Sequence, residues 1–228
     1  LGGWPLRRGA GGGARVSAAT LDGPVDGPVD GPVDGPPGGI EAAEAAMRRW
    51  GQRPRVMIRP GDEALDAELA ARGWEAVHPS LLLAAPAAAI ALEAPLEEAI
   101  ACDGPLACMT AIWAGGGIGR ERLAVMERAP APRTWLLGRH GEQAVACGFV
   151  AAHAGVAMLH ALEVAPEARR RGVAGVLTRA AASWGLAHGA DTLALATRAG
   201  NDAARGLYGR LGLADAARYH YRAAPGAD

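Results

Sequence analysis

Apolar residues recur at helical spacing over 40–50, where Ile40, Ala43, Met47 and Trp50 share one face, and this predicts a helix. The run RVMIR (55–59) predicts a strand, 62–72 a second helix stopped by Gly73, and 75–84 a second strand. The same order returns near the C-terminus. Helix 173–188 ends at Gly189, strand TLALAT spans 192–197, helix 201–211 ends at Gly212, and strands run to Tyr221. LDAELAARGW (65–74) echoes ARGLYGRLGL (204–213), so the two segments read as a diverged internal repeat. Between them, about 95–128 is expected to be mostly helical around the loop AGGGIG (114–119), a weak glycine-rich pattern that follows a helix rather than a strand. TWLLGR, AVACGFVAA and VAMLHALEV then read as three successive strands with a tight turn at Gly141.

Two stretches stand outside this pattern. Residues 22–39, DGPVDGPVDGPVDGPPGG, repeat a unit in which proline removes donors and glycine opens the chain, so a solvated linker is expected rather than a calcium site. LLLAAPAAAIAL (81–92) is too short for a membrane span and is broken by Pro86, so it reads as a strand and its connection. The N-terminal LGGWPLRRGAGGGAR lacks the apolar centre of a signal peptide, and a chain starting at Leu1 is expected to have lost residues ahead of it.

Composition narrows the classes. The net charge of −1 does not suggest a nucleic-acid surface, and every basic side chain other than histidine is arginine. Cys102, Cys108 and Cys147 show no CxxC spacing, and the six histidines no paired ligand spacing. No metal, no membrane association and a cytoplasmic location are therefore expected, with the cysteines in the core.

The densest chemistry lies in EVAPEARRRGVAGVL (163–177). A strand closes before Pro166 and a helix opens near Val173, so three arginines and two glycines fall at a helix N-terminus. Orphan N–H groups and the macrodipole favour an anion there. Gly172 and Ala174 would let a phosphate approach the backbone. No Walker loop is present, and the glycine spacing does not fit a dinucleotide fingerprint.

Arg169-x-x-Gly172-x-Ala174 after a strand resembles the pyrophosphate loop of the GCN5-related N-acetyltransferases (GNAT), and TLALATRAGNDAARGLYGRLGL supplies Asn201, Ala204 and Tyr208 at that family's offsets. Leu213 departs from the family, which usually has Phe there. The resemblance covers about 100–228. It implies an α/β (α+β) GNAT fold, with a mixed central sheet and helices on both faces. Residues 95–228 would be the catalytic domain and 1–94 a degenerate GNAT-like half, as in a bacterial subgroup. The first copy has Leu69 in place of Tyr208 and no arginine cluster, so it is expected to shape the acceptor pocket rather than bind coenzyme A.

The resemblance further implies acetyl-CoA as co-substrate. Its pyrophosphate would be wrapped by the backbone of Arg169, Arg170, Arg171, Gly172, Val173, Ala174 and Gly175. Its pantetheine arm would enter where the strands near 158–164 and 192–197 splay apart, meeting the backbone of Leu162 and Val164, with Asn201 and Ala204 nearby. His160 or Glu163 would draw the proton from the amine, and Tyr208 would supply one to the departing sulfur. Alternatives stay open: His160 as a core histidine, Glu163 as partner to a cation, and Tyr208 as packing under the cofactor. Strand alternation puts Glu163 on the face opposite His160 unless a bulge intervenes. The implied activity is direct acetyl transfer to a primary amine of a small molecule, amino acid or peptide. The acceptor pocket would involve Trp113–Gly119, and a homodimer is admissible. The competing readings are a catalytically idle acyl-CoA sensor or scaffold, and transfer to a hydroxyl.

Overall fold

The computed structural model describes residues 4–21, 39–91 and 98–226. The DGPV tract, apart from Gly39, and the 94/95 boundary lie outside the described residues. In chain order the first elements are α1 (Gly39–Arg49), β1 (Arg55–Ile58), α2 (Glu63–Ala71), β2 (Glu75–Pro86), α3 (Ala87–Ile90) and β3 (Ala99–Cys102). Then follow α4 (Ala107–Gly115), α5 (Arg120–Glu127), β4 (Arg133–His140), β5 (Gln143–His153) and β6 (Val156–Val164). The last are α6 (Val173–Ala187), β7 (Thr192–Arg198), α7 (Asp202–Arg210) and β8 (Ala214–Ala223). The strands form a mixed eight-stranded sheet in the order β1-β8-β2-β7-β6-β5-β4-β3. The pair β6–β7 is parallel, while β3–β4, β4–β5 and β5–β6 are antiparallel.

Contacts divide the chain into two units, Leu1–Ser80 with Ala217–Asp228 and Leu81–Ala216. In the first, Ile40, Ala43 and Met47 of α1 pack with Val56 and Ile58 of β1, Leu65 and Leu69 of α2, and Trp4 and Trp74. Asp66 of α2 accepts hydrogen bonds from Arg222 Nε (2.7 Å) and His220 Nε2 (2.9 Å) of β8, tying the C-terminal strand to this unit.

In the second unit the strand alternation sorts side chains to two faces. Ala146, Val150 and Ala152 of β5 join Val173, Leu177 and Ala181 of α6 and Ile90 of α3 in one core. Cys147 and Phe149, on the opposite face, join Met109 and Trp113 of α4 and Met126 of α5 in another. Helices thus cover both faces of the strands that carry the candidate site.

Three expectations need correction. Trp50 lies beyond the end of α1 and is 36% exposed, because the helix stops one residue before it could join the buried stripe. Residues 99–102 form a short strand paired with β4 rather than helix, a case where edge pairing overrides a four-residue run with no pattern of its own. The C-terminal strands are one strand, β8. These assignments predict that Met47→Ala, with a fully buried side chain, loses about 2–5 kcal/mol of stability. Trp50→Ala should change it by about 0.5 kcal/mol or less, both read by denaturant unfolding.

Candidate active site

The register between β5 and β6 builds the site. Phe149 faces His160 and Cys147 faces Glu163, so one residue, Gly148, spans a stretch that takes two, Ala161 and Leu162, on β6. The extra residue is a β-bulge, and Ala161 adopts the left-handed region at φ 49°. The Trp113 indole N–H, fully buried on α4, donates to the Ala161 carbonyl at 2.8 Å. Without a bulge His160 and Glu163 would face opposite sides. Here both lie opposite residues of the Cys147–Phe149 face and turn toward α4. The His160 ring lies 6.2 Å from that of Phe149.

Just before the bulge, β6 leaves β7. Their parallel ladder runs from Val156–Thr192 to Leu159–Leu195 and stops, although β7 continues to Arg198. β6 stays bonded to β5, where the Ala165 N–H donates to the Val145 carbonyl at 2.8 Å. That bond makes Val164–Ala146 a non-hydrogen-bonded pair, so the N–H and C=O of Val164 point away from β5, toward the opening beside β7. The expected splay is therefore present, with a polar backbone edge along it.

At its end lies the arginine loop. Arg170 (φ 63°) and Gly172 (φ 85°) are both left-handed, and turns of this kind gather successive N–H groups into anion-binding concavities. A Cβ added to Gly172 would touch nothing within 4 Å, so conformation rather than space demands glycine there. Gly172 caps α6, whose first turn holds no acidic residue. Arg170 and Arg171 are exposed and have no polar partner among the described residues. Orphan amides, free guanidinium groups and an open approach fit a pyrophosphate. A Cβ on Gly175 would rest 3.8 Å from Leu207, so the start of α6 lies beside α7.

On α7, Asn201 caps the helix by accepting from the Ala204 N–H at 3.1 Å, which leaves its amide nitrogen for a ligand. Tyr208 is 8% exposed in the α6-side core, and its hydroxyl has no hydrogen-bond partner among the described residues. Burial pushes its phenol up to about 12, so it stays protonated through the neutral range. Cys147 is likewise pushed up to about 12, first by burial and then by the neighbouring Glu163 carboxylate, and a thiol held neutral is a poor nucleophile. Among the described residues no group of three or more His, Cys, Asp or Glu could hold a metal ion, and no helix is long and apolar enough to cross a membrane.

Three contacts complete the site, of which the sequence had admitted only a cation partner for Glu163. Arg169 does not stand free with its neighbours: its Nη2 donates to Glu163 Oε1 at 3.2 Å and its Nε to the Val164 carbonyl at 3.1 Å. Gly116, in the turn after α4, packs so closely on Glu163 that a Cβ there would lie 2.5 Å from the carboxyl carbon. Trp113 carries the hydrogen bond to the bulge. The six-residue spacing of Glu163 and Arg169 was the one available signal.

Residues 106–213, just under half of the chain, match the acetyltransferase (GNAT) family. No curated protein matches the sequence. Among solved structures, a GCN5-related N-acetyltransferase from Kribbella flavida has a TM-score of 0.62 at 22% identity, covering 82% of this chain and 73% of its own. A putative GNAT-family acetyltransferase from Novosphingobium aromaticivorans gives 0.52 at 18% identity, covering 68% and 69%. A tandem GNAT protein from the clavulanic acid biosynthesis pathway gives 0.57 at 14% identity, covering 92% and 76%. These likenesses speak for the fold, and the family match for acetyl transfer from an acyl-CoA. Residues 106–213 match a GNAT acetyltransferase domain, and the solved structures carry the same fold, so both point to the GNAT superfamily.

Proposed function

We propose that the protein is an acetyl-CoA-dependent N-acetyltransferase that transfers acetyl directly to a primary amine. The observation that carries this reading is the opening between β6 and β7, with the Val164 backbone along it and the arginine loop at its end. Acetyl-CoA, when bound, supplies the activated acetyl thioester. The loop amides from Arg170 to Ala174, with the guanidinium groups of Arg170 and Arg171, hold its pyrophosphate; the Gly175 N–H is already engaged by the Gly172 carbonyl at 2.8 Å. The Val164 N–H hydrogen-bonds the thioester carbonyl and stabilises the negative charge that develops there. His160, on the α4 side, accepts the proton that the ammonium of the acceptor must lose. Tyr208 donates the proton that the departing sulfur takes up. The recurring α-β-α-β order, α1 to β2 and α6 to β8, and the likeness to a tandem GNAT protein support a diverged repeat in the first half.

Calorimetric titration with acetyl-CoA, followed by thiol release over a panel of amines and alcohols, tests the proposal. Binding with release on amines is expected. Binding without any release would favour a sensor, release on alcohols alone an O-acyltransferase, and no binding by folded protein would sink the reading. Gly172→Glu should abolish measurable acetyl-CoA binding, since it places a carboxylate at the anion site on a strained backbone. Tyr208→Phe should lower turnover on the order of 100-fold while leaving acetyl-CoA affinity nearly unchanged. In the wild type, because the phenol titrates only near 12, Tyr208 should produce no alkaline loss of turnover below that region. His160→Ala should lose most activity around neutral pH, where the amine is still charged but an imidazole can take its proton, and progressively less at alkaline pH, where the amine is already neutral; a loss equal at every pH would remove His160 as the proton acceptor.

A further inference from the structure

Glu163 and His160 share the acceptor-side face, yet their surroundings differ in a way that divides their labour. The Glu163 carboxylate is held from two sides. Arg169 reaches it at 3.2 Å from the anion loop, and Gly116 packs against it from the α4–α5 turn, where a Cβ would lie 2.5 Å from the carboxyl carbon and displace the side chain. The same guanidinium binds the Val164 carbonyl at 3.1 Å. One side chain therefore joins the residue whose amide meets the thioester, the carboxylate beside it, and the loop that takes the pyrophosphate. A carboxylate that must keep a guanidinium bond and a fixed seat has little freedom to pick up and pass on a proton.

We propose that Glu163 is a positioning residue rather than the proton acceptor. With Arg169 and Gly116 it forms a strut that fixes the anion loop at a set distance from the Val164 amide, leaving proton removal to His160. The inference rests on the acetyltransferase reading of this site.

The test is a double-mutant cycle read by calorimetric acetyl-CoA affinity, with steady-state turnover alongside. Glu163→Gln keeps an oxygen for Arg169 and should retain turnover to within about threefold. Glu163→Ala and Arg169→Gln should each weaken acetyl-CoA affinity about fivefold, the size expected of a part-exposed pair, and the double variant should be no weaker than either. Gly116→Ala, which alters no charge, should give the same loss by pushing the carboxylate off its seat. Combining it with Glu163→Ala should add nothing.

Additive losses across these pairs, in wild-type protein that binds acetyl-CoA, overturn the strut and leave the acetyltransferase reading standing. A fall of about 100-fold or more in turnover for Glu163→Gln, at unchanged acetyl-CoA affinity, makes Glu163 the base and overturns the proposal. Wild-type protein that fails to bind acetyl-CoA removes the reading itself.

Discussion

Ala161 holds a left-handed backbone while its carbonyl takes the indole N–H of Trp113, and the candidate site depends on that hydrogen bond. A left-handed alanine is unfavourable in isolation and persists where its surroundings over-determine it. Here a fully buried tryptophan supplies the constraint from α4. The inserted residue puts His160 and Glu163 on one face, and just before it the β6–β7 ladder ends, opening the strand edge. The lost ladder bonds leave a polar strand edge beside the bulge, so the irregularity of β5–β6 and the open edge of β6–β7 adjoin each other.

Charge is arranged on the same economy. The loop carries three consecutive arginines, of which two have no polar partner among the described residues; the first bonds internally to Glu163 and Val164. The run is thus divided between internal contacts and exposed charge. On α7, Tyr208 is kept neutral by burial alone, with no charged neighbour contributing.

Much of this was legible in the sequence where the pattern was long and the punctuation plain. Helix α6, strand β7 and helix α7 follow from apolar spacing and from Gly189 and Gly212, while Asn201, placed in the sequence beside the pantetheine arm, also caps α7. The four residues of β3 were not, because a strand so short exists only through its partner β4. Trp50 looked like the fourth member of a helical stripe, but the helix ended first. Gly172 was read as room for a phosphate, and its positive φ is a further reason for glycine that the sequence does not show. The bulge was beyond reach: which face Glu163 takes is a matter of register against Cys147 and Phe149, a relation between strands that no single strand encodes.

The first compact unit is assembled from the two ends of the chain, residues 1–80 and 217–228. During synthesis its helices and β1 leave the ribosome early, but β8, which pairs with β1, is translated last. The nascent unit must wait through the whole acetyltransferase domain before its sheet can close. Closing so long a loop adds only a modest entropic cost, growing with the logarithm of its length, so the burden falls on timing rather than on final stability. For most of its synthesis the chain carries a half-built sheet with an open edge, the kind of surface that neighbouring chains pair with and that chaperones cover.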